Sequence, residues 1–501
     1  MPTPPDQLLR EFKGDLRASL PLHPLEKATI WAVSITLCAL PWMLGSMRVW
    51  AQLIGFGLAL VAFALALIPR HFVGDYTHNQ AFTYYPWKKL IRWPFFWIGI
   101  LFFTYVLIQA LNPAWEYVTH PERGTWSMRK IEHIDWLPTG MTTPFATMNT
   151  WRQMMIWTLP FFVGCAIWIG FTRRKSLIAL LTVVVGNATV LALVGIVARY
   201  TAPAKILWLV DGIRNYCFSS FVYKNHAGSF FALSVGLTLA LAVFVHQRAA
   251  RHQRRSSPAS LLVFVAMIQL VAVLLTYSRA AILIVGAFLV VLTLFGFIRL
   301  LLRGGFNRAP IAIVGFLLGL TVFGVVGSKL VESEKTLDRI SQLTNSEKAD
   351  YSVLRRRLAW VAGWDMASEN AMTGWGAGGF RFLFPRYQQT EPKITWRYHN
   401  KKRGYIFWEH AHNDYLQTLI EVGRVGLGLL LVGFATMVLS FFRNRGIHHL
   451  TGLSLFAAAG ITLAHAAVDF PLQNPAILTL LAAVLVLPLS LTTLERRPTR
   501  A

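Results

Sequence analysis

The sequence predicts an all-α, polytopic integral membrane protein with about twelve transmembrane helices and one large loop on the outer side. Three observations predict it. Of 501 residues, 55% are hydrophobic and only 14% charged, with positive mean hydropathy, which is too apolar for several ordinary soluble domains. Apolar stretches of about 20 residues, the length that crosses a hydrocarbon core, recur along the chain. Lys and Arg gather in short clusters between alternate stretches, which is how inside-facing loops look.

The first 28 residues, MPTPPDQLLREFKGDLRASLPLHPLEKA, carry mixed charge and lack both a short apolar region and a small-residue cleavage site. They read as a cytoplasmic tail (1–28), not a cleavable signal. Spans follow near 29–46, 51–69, 94–112, 153–171, 176–197, 227–246, 259–277, 280–299 and 309–328, giving nine helices within 29–328. A large loop occupies 329–411. Spans near 415–442, 449–468 and 474–491 make up helices ten to twelve within 412–491, and 492–501 is a second cytoplasmic tail.

Direction follows from the clusters Lys88, Lys89 and Arg92; Arg173, Arg174 and Lys175; Arg248, Arg251, Arg254 and Arg255; Arg299, Arg303 and Arg308; and Arg443 and Arg445. Retained positive charge marks the cytoplasmic face, so both termini are expected there and the 329–411 loop outside. The net charge of +25 is scattered in this way between apolar segments, which excludes nucleic acid as the reading of the basic residues. Cys38, Cys165 and Cys217 lie far apart without a CxxC or metal-ligand neighbour and read as packing residues.

The polar features fall together at expected outward helix ends: YKNHAG at 223–228, YSRA at 277–280, EHAHND at 409–414 and HAAVDF at 465–470. Four such coincidences suggest one site facing the outer compartment. Arg279 lies in the only break of LLTYSRAAILIVG, close to hydrocarbon, where a guanidinium costs roughly 2.5 kcal/mol or more unless paired or hydrated. It reads either as an interfacial snorkelling residue or as a fork for phosphate or carboxylate. Lys224, with Asn225 and His226 beside it, opens a span. Asn225 is a candidate helix cap, and Lys224 a second cation on a polyanionic group, aided by the positive end of the helix. Arg214 and Arg199 are further candidates in the same loop.

His412 can act as a general base near neutral pH. Asn413 or Asp414 caps the helix through LQTLIEVGRVGLGLLL, so Asp414 is expected as a cap. His410 and His412 fall on opposite sides of an extended segment, and no third ligand at a recognised spacing accompanies them, so no metal is expected. Glu421 is expected to pair with another helix, with Arg424 as a candidate link. His465 and Asp469 share a helical face and suit either a structural hydrogen bond between them or a catalytic role. RRRLAWVAGWDMASEN, with its stripe Leu354, Leu358, Val361 and Ala362, suits a helix at the membrane surface. GWGAGGFRFLFPRYQ supplies glycines for tight turns and aromatics that can stack on sugar rings.

HNDYLQTLIEVGRVG resembles the pattern of the O-antigen ligase and O-antigen polymerase superfamily at His412, Asn413, Gly423 and Gly426. YSRA resembles that family's Ser-Arg motif at Arg279. RRRLAWVAGWDMASENAMTGWGAGGFRFLFPRY resembles the start of its periplasmic loop, with Arg357, Trp360, Gly374, Gly376, Gly379 and Phe380 in order. The likeness covers roughly residues 220–430. It implies a GT-C-like glycosyltransferase of the bacterial inner membrane, needing no metal, cofactor or nucleotide sugar. The implied donor is an undecaprenyl-pyrophosphate-linked glycan, and the acceptor a lipid A-core or growing glycan, among membrane lipids, with the site facing the periplasm. His412 and Arg279 are then the catalytic pair. Lys224, Arg214, Asn225, His226, Arg357, Asn413 and Asp414 are the candidates for holding pyrophosphate or glycan. Lys224 stands where several relatives carry Arg, which leaves the second phosphate ligand open between Lys224 and Arg214.

Ligation, polymerisation and protein O-oligosaccharyl transfer share these motifs. A lipid-linked glycan flippase or transporter is the rival from another class. Transporters place polar groups near the midplane, whereas here the midplane is nearly uncharged.

Overall fold

The computed structural model describes residues 22–72, 82–253, 257–304, 351–399 and 402–495. The expected span at 309–328 and the loop segment 329–350 lie outside these residues. The apolar runs form helices α1 (Pro24–Trp42), α2 (Val49–Leu67), α3 (Pro86–Ile91), α4 (Pro94–Leu111), α5 (Thr150–Gly170), α6 (Arg174–Thr201), α7 (Lys224–Arg251), α8 (Ala259–Leu275) and α9 (Arg279–Gly304). After the undescribed stretch come α10 (Tyr351–Glu369), α11 (Phe380–Gln388), α12 (Pro392–Thr395), α13 (Asp414–Arg443), α14 (Leu450–Ala466) and α15 (Pro475–Glu495). Among the described residues, eight of these, α2, α4 to α7, α9, α13 and α15, are long and apolar enough to cross a membrane; α8 and α14 are apolar but shorter. The chain is thus a polytopic, mainly helical membrane protein.

Local chemistry sets the helix ends. Proline stands in the first turn of α1, α3 and α4, where its missing N–H is not needed. Asn149 accepts from Arg152 N to cap α5, and His449 accepts from Gly452 N to cap α14. Inside the bundle, hydroxyls turn back onto their own helix, as Thr158 does onto Met154 O at 2.7 Å and Thr238 onto Ser234 O at 2.9 Å.

Helix α7 is the axis of the bundle. Its apolar window is 83% buried, against 11% for α9, so α7 is surrounded by protein while α9 lies at the edge. Small residues allow the close approach: a Cβ on Gly236 would stand 2.6 Å from Ala458 Cβ of α14, and one on Gly228 would stand 2.8 Å from Ser278 and Ala281 Cβ at the start of α9.

A second layer lies outside the long helices. Between α4 and α5 the chain forms strands β3 (Pro113–His120), β4 (Thr125–Lys130) and β5 (Gly140–Thr142), in the order β4-β3-β5, with β3 antiparallel to β4 and parallel to β5. Strands β8 (Trp396–His399) and β9 (Lys402–Tyr405) make a hairpin before α13. The remaining pairs, β1 (Arg70–Phe72) with β2 (Phe82–Tyr84) and β6 (Lys205–Ile206) with β7 (Val210–Asp211), are short. The layer has its own core of Met141, Ile156, Met366, Phe380, Phe384 and Trp408. Helix α10 packs on α13 through Ala359, Ala362 and Met366, with Val361 exposed. The buried stripe is therefore rotated from the one expected for a membrane-surface helix, because protein rather than lipid covers it.

The two layers are bolted together at a break in α13. Gly423 has φ +65° and ψ −172°, and a Cβ there would stand 2.3 Å from Met372 O. The break frees two carbonyls and two amides, and the loop before α11 takes all four. Trp375 N donates to Ile420 O, Gly376 N to Glu421 O, Arg424 N to Ala371 O and Val425 N to Met372 O, at 2.8 to 3.2 Å. Gly374 and Gly376 take φ +73° and +99° to make this fit, so the glycine run forms the tight turns its sequence suggests. From α4, Gln109 Nε2 donates to Glu421 O and Tyr105 Oη to Val422 O.

Candidate functional site

The site is where four helices begin. Gly228 of α7 packs on the start of α9. His226 Nδ1 lies 3.4 Å from Asn474 Nδ2, just before α15, and His412, just before α13, reaches Asp469 beyond the end of α14. The starts of α7, α9, α13 and α15 therefore converge, and each brings the positive end of its dipole. An anion is favoured at such a place.

Asp469 is the hub. Its carboxylate is buried and accepts from His412 Nδ1 at 3.3 Å, Arg356 Nη2 at 3.4 Å, Phe470 N at 3.0 Å and Asn225 Nδ2. Arg356 also donates through Nη1 to Val468 O at 2.9 Å, so its fork grips the turn as well as the charge. Burial alone would raise the carboxyl, but the hydrogen bond with His412 and the charge of Arg356 outweigh it and hold Asp469 below the usual carboxylate range.

His412 has φ +53°, a left-handed conformation that few residues other than glycine adopt. The strain is held by its surroundings: Trp360 Nε1 donates to Ala411 O at 3.0 Å, Ala411 N to Gln417 Oε1 at 3.1 Å, and Asn413 Oδ1 accepts from Leu416 N to cap α13. The imidazole stands edge-on to Phe470 and Trp408, with ring centres 4.8 and 5.7 Å apart. With Nδ1 donating to a carboxylate, Nε2 is the nitrogen that accepts a proton.

Phe470 has Tyr223, His226, His410 and His412 around its ring, at centre distances of 5.1, 4.9, 4.4 and 4.8 Å. His410 stacks on it at 22° and lies 3.4 Å from Gln417 Nε2 through Nδ1. Burial, and then the charge of Arg381, push the His410 imidazole well below its ordinary range, so it stays neutral. Both histidines meet one phenyl ring, His410 stacked on it and His412 edge-on.

Two cavities meet at His410 and Phe470. One, of about 460 Å³, is lined by Tyr216, Arg355, Arg356, Glu409 and His412. The other, of about 590 Å³, is lined by Arg48, Arg152, Arg381, His226 and Gln473. Gln473 also borders an apolar cavity of about 260 Å³ among α4, α5, α13 and α15, walled by Phe102, Trp157, Phe161 and Leu429. A polar chamber thus adjoins an apolar one within the helical layer.

The residues named from sequence divide. His412, Asn413, Asn225 and His226 come together. Asn225 does not cap α7: it lies inside the first turn and bonds Asp469 and Tyr223 Oη. Asp414 does not cap α13 either, since Asn413 does. Buried Asp414 instead accepts from Leu472 N at 2.8 Å and Gln473 Nε2 at 3.3 Å, tying α13 to the turn before α15. Glu421 accepts from Gly378 N and Gln417 Nε2, not from Arg424, which is exposed. The His465 imidazole makes no hydrogen bond to the Asp469 carboxylate, although Asp469 N donates to His465 O at 3.0 Å, because the helix ends at Ala466 and the turn carries the carboxylate toward α7 and α10. Lys224 and Arg279 stand half-buried at the starts of α7 and α9. Arg214 and Arg357 are exposed, and Arg199 lies over the Tyr277 ring at 4.5 Å.

Arg356, Arg152 and Arg381 were not singled out by the sequence. For Arg356 a signal existed: it precedes Trp360 by one helical turn, so both lie on the face of α10 that meets the 408–412 segment, while Arg357 is turned about 100° away. Among the described residues no cluster of three or more His, Cys, Asp or Glu suits a metal ion.

Residues 262–431 match the family model described as O-antigen ligase. That segment contains Arg279, the glycine turn, His412 and the break at Gly423, and the match bears out the resemblance to the O-antigen ligase and polymerase superfamily there. It supports activity of that ligase or polymerase type on lipid-linked glycans. No curated protein matches the chain.

Proposed function

We propose that the chain is a metal-independent, inverting glycosyltransferase that moves a glycan from undecaprenyl-pyrophosphate to an acceptor hydroxyl at the periplasmic face of the inner membrane. The observation that carries the reading is the His412–Asp469 pair, held at 3.3 Å beside a cavity at the convergence of four helix starts. The acceptor hydroxyl gives its proton to His412 Nε2 as its oxygen bonds the anomeric carbon, while the bond from that carbon to the pyrophosphate oxygen breaks on the opposite side. Asp469 fixes the imidazole and stabilises the imidazolium that forms. The pyrophosphate leaves as an anion, so charge stabilisation matters more than a strong acid. Arg279 and Lys224, at adjoining helix starts, supply that charge. The apolar cavity beside Gln473 suits the lipid part of a carrier. The clusters Lys88–Lys89 and Arg173–Lys175 belong to the opposite helix ends, which supports an outward-facing site.

The acceptor, lipid A-core or a growing glycan, follows from a deletion strain: single-unit surface chains identify a polymerase, and long unattached chains a ligase. The direct test is transfer by the full chain in detergent from a defined lipid-pyrophosphate glycan, with chelator present. Detergent offers no second compartment, so product excludes a flippase. Absence of product, or unchanged product with Arg279→Ala, overturns the proposal.

A further inference from the structure

Outside the long helices, the cavity that holds Arg152 and Arg381 continues into a larger groove. The two share Trp126, Phe382 and Phe407, and the groove, of about 690 Å³, falls within the size range of ligand sites. It runs between the β3–β4 hairpin, α11 and β9, so three separate pieces of the second layer build it. Its walls carry Trp115, Trp375, Tyr405 and Phe407, and Arg386 stands on its rim.

Trp126 stacks one face on Tyr117 at 25°, but the other groove rings are not stacked on one another. Trp115 and Trp375 meet at 45°, Trp126 and Phe407 at 85°, and Trp396 and Tyr405 at 77°, so none of these pairs closes a ring face by stacking. Trp375 is fixed by its own Nε1, which donates to Met366 O at 2.7 Å, and Tyr405 and Phe407 are exposed. Rigid aromatic faces in a concave, water-facing groove with Ser127, Gln389 and Arg386 among them suit a ligand that is apolar on its faces and hydroxylated at its edges. A pyranose has that form: C–H groups on the ring faces and hydroxyls around the rim. A lipid chain would leave the polar groups unmatched.

We propose that this groove is a saccharide-binding subsite that holds the sugars remote from the reacting one, on either the donor or the acceptor. The inference rests on the glycosyl-transfer reading above and adds where the rest of the glycan lies. Continuity through Trp126, Phe382 and Phe407 lets one chain reach from the His410 wall into the groove. Binding there draws on sugars that do not react, so its contribution grows with glycan length.

The test uses the full chain in detergent with lipid-pyrophosphate-linked glycans of one and of several repeat units, offered first as donors to a short acceptor and then as acceptors from a short donor. In Tyr405→Ala and in Arg386→Ala the ratio of KM for the long glycan to KM for the short one is expected to rise roughly tenfold in one of the two arms, which identifies the source. Trp136→Ala, a highly exposed residue of the same layer outside the groove, is the control and should leave that ratio alone. An unchanged ratio in both arms, with the wild type active, overturns the subsite and leaves the transfer reading standing. No transfer by the wild type from any donor overturns the transfer reading, and the subsite with it.

Discussion

Each end of the helix bundle holds a buried carboxylate against an arginine, and the two are put to opposite uses. At one end Glu26 meets Arg70 at 3.5 Å, with both side chains wholly enclosed, and also accepts from Thr172 N, Thr172 Oγ1 and Ser176 Oγ. Every partner is a neighbour in the fold, joining α1, the end of α2 and the α5–α6 turn. At the other end Asp469 is equally buried and also meets an arginine, but one of its partners is the imidazole of His412, whose side chain is 22% exposed and lines a cavity. The first carboxylate closes a structure. The second hands its charge to an imidazole that faces a cavity.

The comparison is broken most directly at His412. His412→Ala removes the proposed base while Arg356, Asn225 and Phe470 N still hold the Asp469 carboxylate, so transfer in vitro should fall about 10³-fold, within the range of general-base contributions, in protein that stays folded. Equal activity of variant and wild type would make the Asp469 end as purely structural as the Glu26 end.

The mirror experiment is Glu26→Gln. It leaves the Arg70 guanidinium enclosed without its counter-charge, and loss of one member of a buried pair costs on the order of 3 kcal/mol. Stability in detergent should drop by that amount, while transfer per folded molecule stays at the wild-type rate. A selective loss of transfer would show that the two ends are coupled.

Asp469→Asn should lower kcat about 10²-fold, since the amide no longer fixes the donating tautomer of His412 or stabilises its cation. It also carries a pH signature. The folded-state carboxyl is held below its ordinary value, so its contribution to stability is present above the unfolded pKa near 3.8 and is lost as pH falls through the folded one. The wild type should therefore lose stability relative to Asp469→Asn on acidification below about pH 4. Parallel acid curves for the two proteins would remove Asp469 from the ionised state assigned to it.

The helices were legible because hydrocarbon imposes long apolar runs, and His412 and Asn413 because they sit in a compact pattern at a helix start. Asp469 was visible only as a neighbour of His465, and its true partners lie 57 residues away at His412, 113 at Arg356 and 244 at Asn225. No local spacing encodes such contacts. Gly423 was visible as a glycine, yet glycines are common in membrane helices, and only the loop amides and carbonyls that meet the freed groups distinguish a break from a packing position. The sheet between α4 and α5 went unread because its strands alternate weakly and bury little. The choice of Arg357 over Arg356 turned on one residue of helical phase.

The smallest expected effect sharpens the contrast within the site itself. His410 lies two residues from His412, stacks on the phenyl ring that His412 meets edge-on and lines both cavities, yet its Nε2 makes no hydrogen bond to Asp469. Burial pushes its imidazole well below the ordinary range, and the nearby Arg381 charge acts in the same direction, which favours the neutral form. Replacing it with Gln keeps a polar group near Gln417 and gives up the stacking on Phe470, a contact worth about 1 kcal/mol, so transfer should fall by no more than about fivefold. The shape of the pH–rate profile should not change, because His410 is not the group proposed to take the acceptor's proton. A displaced acid limb in His410→Gln would mean that the two histidines share the proton, and that the carboxylate's choice of partner is not what separates the working end of the bundle from the closed one.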